Sequence, residues 1–461
     1  KITALHETLN IESLADLKAA CEQGLVSRVK GFGVKSQAKL LADIAKRGRQ
    51  PEGFLLLHEA LVEAEKILAY LRACPELSQS DVGGALRRRK EMIRTIAIVG
   101  ASTQPKVVIE RFLRYPALLR TDDLADDRCL ARLPSGVGAE LIIVDPADYW
   151  TTLHCRTGSR SHIARLDQIA ATKPSKNTVR KQSSVASEAD IYRRLGLAFI
   201  PPEMREDEGE IEAAATGKLP VPLELQDIRG MTHCHTVYSD GRNSVEEMAR
   251  AAEALGMDYL TITDHSQSAY YARGLTLDRL RAQWDEIERV QEQVKIKLLK
   301  GTESDILADG VLDYSDAILE KFDIVIASIH SRHKMDSAQM TARLVRALEL
   351  PIFKIWGHPR GRLLRSRPPF DCRMEEVLDA IAESRGAIEV NGDPRRLDLE
   401  PRWIREARAR QIKFVVSTDA HSVSGLNYLR FGVAMARRGW LTRDEVLNTL
   451  NTEQFMRAVR P

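Results

Sequence analysis

Along the first 70 residues apolar side chains recur at three and four residue spacing, as at Leu14 and Leu17 and again at Leu56, Leu57, Ala60 and Leu61. That period lays one apolar stripe along a helix, so residues 1–78 are expected to be helical. From 79 to 171 the pattern shifts to short β-branched runs, 95–99 and 140–144, separated by helical stretches. An α/β subdomain is expected there. Residues 172–184, TKPSKNTVRKQSS, are polar, basic and aperiodic and read as a linker, followed to residue 225 by a small helical, Pro-containing piece. From 226 to 461 strand and helix alternate, with seven candidate parallel strands at 229–235, 259–265, 297–303, 322–330, 352–358, 386–392 and 413–421. Amphipathic helices fill the intervals, the pattern of βα repeats closing into a barrel.

Composition narrows this picture only slightly. A chain of 461 residues is long enough for several cores, and 44% hydrophobic with 29% charged residues is the balance of a soluble globular protein. The formal charge of +3 is too weak to point to a polyanion, so a nucleic-acid reading has to rest on local clusters. No apolar run approaches the roughly 20 residues that cross a bilayer, and the six cysteines are scattered without a C-x-x-C pair. A soluble, cytoplasmic protein with reduced thiols and no membrane contact is expected. The chain begins at Lys1 in what reads as the middle of a helix, so a preceding piece is expected to be missing.

The chemistry lies where the barrel strands stop, because the C-terminal ends of such strands converge on one face. The first ends in His233-Cys234-His235, followed by Asp240; the second in Asp264-His265; the third in Glu303. The fourth ends at His330, the fifth at His358 and the seventh in Asp419-Ala420-His421. The sixth ends in Glu389 and Asn391, for which no role is read. Six of the eleven histidines thus fall at five strand ends. Residues two apart on a strand share a face, so H-x-H and D-x-H pairs can bind one ion together. Imidazole with carboxylate suits Zn²⁺ or Mn²⁺, and nine such groups are too many for one ion, so two or three divalent ions are expected. Ions a few ångströms apart acidify a shared water and hold phosphate oxygens, which makes phosphoester hydrolysis the expected reaction class.

Further upstream, Gly31 and Gly33 flank Phe32 just ahead of a helix and beside Lys35, where backbone N–H groups can approach a phosphate. Arg332, Arg360 and Arg362 follow the fourth and fifth strand ends and could grip a phosphate backbone.

The segments HCHTVYSDG (233–241), TITDHS (261–266), GTESDILADGVLD (301–313), SIHSRH (328–333), GHPRGRLL (357–364) and STDAHS (417–422) resemble the motifs of the PHP superfamily. The resemblance covers about 226–461 and implies a distorted (β/α)7 barrel with a trinuclear site. By motif, one ion falls to His233, His235, Glu303 and Asp419, with Glu303 bridging to a second at His330 and His358, while Asp240, His265 and His421 hold the third. The stretch 187–214 is similar to the join between polymerase and PHP domain in bacterial family X DNA polymerases, and the helix-hairpin-helix at 31–33 fits that family. The implied architecture is multidomain α/β: a helical region at 1–78, a polymerase beta-like palm at 79–171, a linker and thumb at 172–225, and the PHP barrel at 226–461. The implied partner is DNA, at a primer terminus, gapped or single-stranded, bound by a monomer and processed in repair.

Gly84 to Glu91 match the palm motif, yet the two aspartates that should hold catalytic Mg²⁺ fall at Thr95 and Ala97, and the third carboxylate position is Glu140. Without those carboxylates the 3′-oxygen and the triphosphate lose their ions, so polymerase activity is expected to be weak or lost. Gly158, Ser159, Arg87 and Arg88 survive from the nucleotide-site signature and are expected at phosphates. Two other readings stand beside a 3′–5′ exonuclease or 3′-phosphatase: a small-molecule phosphatase of the histidinol phosphate type, and a non-catalytic DNA-binding scaffold.

Overall fold

Strands form where β-branched residues cluster, and the two longest such runs of the front half lie side by side. In chain order its strands are β1 (Leu55–Leu56), β2 (Gln79–Val82), β3 (Met92–Ile93), β4 (Thr95–Ala101), β5 (Arg120–Leu124), β6 (Arg128–Arg132) and β7 (Gly138–Val144). β4 and β7 pair in parallel inside a five-stranded sheet of order β2-β4-β7-β6-β5, while β1 and β3 form a separate antiparallel ladder. Along β4, Ile96 and Ile98 enter the main core. Val99, pointing the other way, packs on Tyr149 and Leu153 of the helix Tyr149–Thr157.

The computed structural model describes residues 5, 8–9, 11, 14–48, 53–173 and 185–459, so most of the expected 172–184 linker lies outside it. Helices Leu14–Glu22 and Val34–Gly48 flank the Gly31-Phe32-Gly33 turn and close a small core of Ala20, Cys21, Val26 and Val29. Gly31 adopts a φ of 91°, a left-handed conformation that a residue without Cβ takes at little cost. Between the five-stranded sheet and the barrel in chain order, the helices Arg160–Ala171 and Glu188–Leu195 share their own core, built on Leu166, Ile191, Tyr192 and Met204.

The seven strands of the C-terminal half are β8 (Gly230–Met231), β9 (Tyr259–Ile262), β10 (Lys297–Asp305), β11 (Ile324–Ser328), β12 (Lys354–Trp356), β13 (Gly386–Asn391) and β14 (Lys413–Ser417). All pair in parallel, in sequence order. A parallel bridge from Cys234 to Ala420, with the His235 N–H donating to the Ala420 carbonyl at 2.8 Å, draws the two edges together into a nearly closed barrel. Several strands are shorter than the runs read from sequence, because the backbone leaves the ladder where the polar residues begin. There its N–H groups find side chains instead: Cys234 donates to Thr263 Oγ1 at 3.0 Å and His358 to Glu389 Oε2 at 2.5 Å.

One buried apolar cluster runs from Leu57 through the five-stranded sheet into the barrel, so front half and barrel share packing. Ion pairs bolt the joint. Arg365 meets Glu59 at 2.9 Å and the Phe54 carbonyl at 2.6 Å, and Glu91 meets Arg438 at 2.8 Å and Arg362 at 3.5 Å. Burial alone would raise the Glu91 carboxyl, but Arg438 and Arg362 outweigh it and bring it down to about 2. A depressed carboxylate stabilises the fold fully above its ordinary value of 4.5, and that contribution is lost as pH falls towards 2. Glu91→Gln is therefore expected to cost on the order of 3 kcal/mol at pH 7. The gap in melting temperature between variant and parent should shrink steadily below pH 4.5; a gap independent of pH would refute this assignment. Among the described residues no helix is long and apolar enough to cross a membrane, and the six cysteines are free thiols.

Candidate metal centre

The nine imidazoles and acids read from the strand ends meet in one pocket at the C-terminal mouth of the barrel. Glu303, on β10, lies at its centre and is 1% exposed. Its Oε1 faces His358 Nε2 at 2.8 Å and His330 Nε2 at 3.2 Å. Its Oε2 faces His265 Nδ1 at 3.0 Å and both His233 Nε2 and His235 Nε2 at 3.5 Å. Asp419 Oδ1 closes the first group, 3.2 Å from His235 Nε2 and 3.6 Å from His233 Nε2. Asp240 lies between the remaining pair, with one oxygen 3.6 Å from His265 Nε2 and the other 3.3 Å from His421 Nε2.

Three sets of donor atoms lie within 4.8 Å of one another: His235, Asp240, His265 and His421; His233, His235 and Glu303; and His265, Glu303 and His330. The donor set fits divalent cations. His233 Nδ1 is fixed by Glu389 at 2.6 Å while its Nε2, buried and without a hydrogen-bond partner, points between Glu303 and Asp419. An imidazole with one nitrogen held by a carboxylate and the other aimed at acids is arranged as a metal ligand is. Burial would raise the Glu303 carboxyl, yet His330, His265 and His233 hold it well below the usual carboxylate range. Asp419, opposed by burial in the same way, is held low by His233, His235 and Arg396. Both acids are anionic at neutral pH, as cation binding requires.

Three supporting residues escaped the sequence reading. Glu389 orients His233, and Asp305 holds His330 Nδ1 at 2.5 Å. Arg396, in the loop after β13, meets Asp419 Oδ2 at 3.1 Å. The legible signal was the i, i+2 pair of Glu389 and Asn391 at the sixth strand end, the same spacing that marked the histidines. Asp264, by contrast, stands beside His265 in sequence but turns away, accepting hydrogen bonds from Thr236, Ser239 and Gln283 that pin the loop after β8.

The arginines expected at phosphates are mostly spent elsewhere. Arg87 donates to Glu188 through both terminal nitrogens, at 2.6 and 3.0 Å, and Arg88 Nε to Glu206 at 3.0 Å. Arg362 is buried against Glu91, Glu400 and two carbonyls, and Arg360 Nη2 donates to the Phe370 carbonyl at 3.2 Å. Their carboxylate and carbonyl partners are remote in sequence, so each reads there as an uncommitted cation. Only Arg332 of the barrel set is exposed. Ser159 caps the helix Arg160–Ala171 by accepting from His162 N, and Gly158 leaves room for Ile163, where an added Cβ would come within 2.8 Å. Gly31, Gly33 and Lys35 are exposed at the helical turn. In the five-stranded sheet, Ala97 pairs with Glu140 across the β4–β7 ladder, and Glu140 forms an ion pair with Arg156.

A PHP domain model matches residues 232–393, and a DNA polymerase beta thumb model matches residues 152–206. The DNA polymerase/3′-5′ exonuclease PolX of Bacillus subtilis (strain 168) is 34% identical over 460 residues, which is 97% of this chain and 80% of that protein. The chain belongs to the PolX family, the bacterial family X DNA polymerases with a C-terminal PHP domain. Other relatives match about half of this PolX chain. A probable phosphatase of Thermoanaerobacter sp. (strain X514) is 30% identical over 47% of the chain and 89% of its own length. One from Caldanaerobacter subterraneus subsp. tengcongensis is 30% identical over 47% of the chain and 86% of its own.

Proposed function

We propose that this chain is a metal-dependent phosphodiesterase that trims or dephosphorylates DNA 3′ ends, and that its palm does not extend primers. The observation that carries the first half is Glu303, whose two oxygens face separate sets of histidines, as a carboxylate shared between cations must. Two or three divalent ions, Mn²⁺ or Zn²⁺ by donor chemistry, would be held by His233, His235, Glu303 and Asp419, by Glu303, His330 and His358, and by Asp240, His265 and His421. Bound there, the ions supply a nucleophile at neutral pH and neutralise the phosphoryl oxygens. Glu389 and Asp305 fix the ring orientation of His233 and His330, and Arg396 keeps Asp419 in place. The name of the Bacillus subtilis relative, polymerase and 3′-5′ exonuclease together, supports the DNA reading.

The palm half rests on Thr95 and Ala97. Neither side chain offers the anionic oxygens that hold two Mg²⁺ ions on a triphosphate, and the remaining acid, Glu140, is already paired with Arg156. A second reading, a small-molecule phosphatase, is favoured by the relatives named as probable phosphatases, which match about half of the chain. One experiment separates all three. A 5′-labelled primer in a gapped duplex is incubated with Mn²⁺, with and without dNTPs, and histidinol phosphate is tested in parallel. Shortening without extension is expected. Primer extension by the pure protein would sink the palm reading, and phosphate release from histidinol phosphate with intact DNA would transfer the site to the small-molecule class.

A further inference from the structure

The front half holds a second cavity that the barrel chemistry does not use. It measures about 670 Å³ and is lined by Arg94, Thr95, Arg120, Arg132, Gly136 and Gly53. Thr95 marks it as the palm face on which the polymerase carboxylates would stand. The strand register explains how arginines reach that face. Arg120 pairs with Arg132, Arg132 with Gly138, and Gly138 with Thr95, so the four positions form one cross-strand row on the same side of the sheet. The Thr95 hydroxyl leans over Gly138, 3.1 Å from where a side chain there would begin.

Charge on this face has changed sign relative to a cation site. Thr95 and Ala97 carry none, and Glu140 in the next row is neutralised by Arg156. Arg120 and Arg132 both turn their Nε towards the single carboxylate of Asp122. Arg132 Nη1 also donates to the Gly136 carbonyl at 3.2 Å, and among the described residues no acceptor meets the Arg120 Nη atoms. Arg94 lies over the Phe54 ring at 3.9 Å, and among the described residues no carboxylate pairs with it. Of the other acids of the β5–β6 hairpin, Asp123 meets Arg128 at 2.6 Å and Asp126 meets Lys106 at 3.0 Å, and Asp127 stands in the turn, at the opposite end of the hairpin from the Arg120–Arg132 pair. Three guanidinium groups against one carboxylate leave the cavity a net positive lining.

We propose that this palm cavity binds a phosphate group directly through Arg94, Arg120 and Arg132, without a metal ion, and that its ligand is the backbone of a nucleic-acid strand. Guanidinium forks match phosphate oxygens, and several on one surface give salt-dependent, sequence-independent attachment. The face that a polymerase uses to hold cations thus serves as an anchor for the strand, independent of hydrolysis in the barrel.

The test uses the whole chain in EDTA and follows the fluorescence anisotropy of a labelled gapped duplex across a salt series. For Arg120→Ala combined with Arg132→Ala, affinity is expected to fall about tenfold and the salt slope to drop by about two, one for each lost phosphate contact. The corresponding Lys pair should keep most of both. Thr95→Asp should also weaken binding in EDTA, whereas in a cation-dependent site it would leave metal-free binding unchanged. Hydrolysis of bis(4-nitrophenyl) phosphate by these variants should match the parent, which shows that the chain is folded. If labelled dNTP binding falls in the variants while duplex binding does not, the phosphate comes from free nucleotide and the chemistry of the site stands. Unchanged affinity and salt slope for both ligands would overturn the proposal.

Discussion

Glu303→Gln is expected to lower phosphodiester hydrolysis at least about a thousandfold, a barrier increase of roughly 4 kcal/mol. Glutamine keeps the size of the side chain but offers one carbonyl oxygen and an NH₂ donor in place of two anionic oxygens. At present Oε1 faces His330 and His358 while Oε2 faces His233, His235 and His265. An NH₂ group pointed at either set would repel a cation there, so under the proposed assignment at least one ion is lost with the substitution. Hydrolysis of bis(4-nitrophenyl) phosphate in Mn²⁺ gives the rate, and elemental analysis of the purified variant gives the ion count. A variant that keeps its full metal content and more than about a tenth of the rate would remove Glu303 from the centre.

The sequence made the barrel and its mouth legible for a simple reason. A βα repeat fixes where each strand stops, and a histidine at a stop has few places to go except the shared face. What was not legible depends on partners far apart in the chain. Glu389 lies 156 residues from His233, and its i, i+2 spacing from Asn391 puts it at the barrel mouth without showing which distant imidazole it serves. The arginines misled in the same way. Arg87, Arg88 and Arg362 look like exposed cations until the fold brings Glu188, Glu206 and Glu91 against them. The strand lengths were overestimated where backbone N–H groups bond to Thr263 and Glu389 side chains, an exchange that leaves the hydrophobic pattern unchanged.

That same redeployment of arginines predicts the largest stability effect in the front half. Glu188, near the start of the helix Glu188–Leu195, accepts from Arg87 Nη1 and Nη2 and from Arg205 Nη1 at 2.5 Å. Arg205 is fully buried, its Nε donating to the Ile200 carbonyl at 2.8 Å, and its Nη2 has no partner. Burial, with Arg205 alongside, pulls His154 down to about 4 despite Glu188, so that ring is neutral and cannot substitute for an anion. Glu188 is therefore the carboxylate that answers both guanidinium groups. Glu188→Ala strands two positive charges in a buried site, a loss that costs about 3–5 kcal/mol when one partner of a buried pair is removed. The expected result is a lower urea midpoint and faster amide exchange across 188–214, the segment packed on Tyr192. Replacing Arg205 by Met together with Glu188→Ala should recover part of the loss, because it removes one of the two unanswered charges with a side chain of similar reach. A single variant within about 1 kcal/mol of the parent would mean that solvent already reaches the cluster. The arginine pair would then be free for a phosphate after all, and the palm would have to be read again as a nucleotide site lacking only its metals.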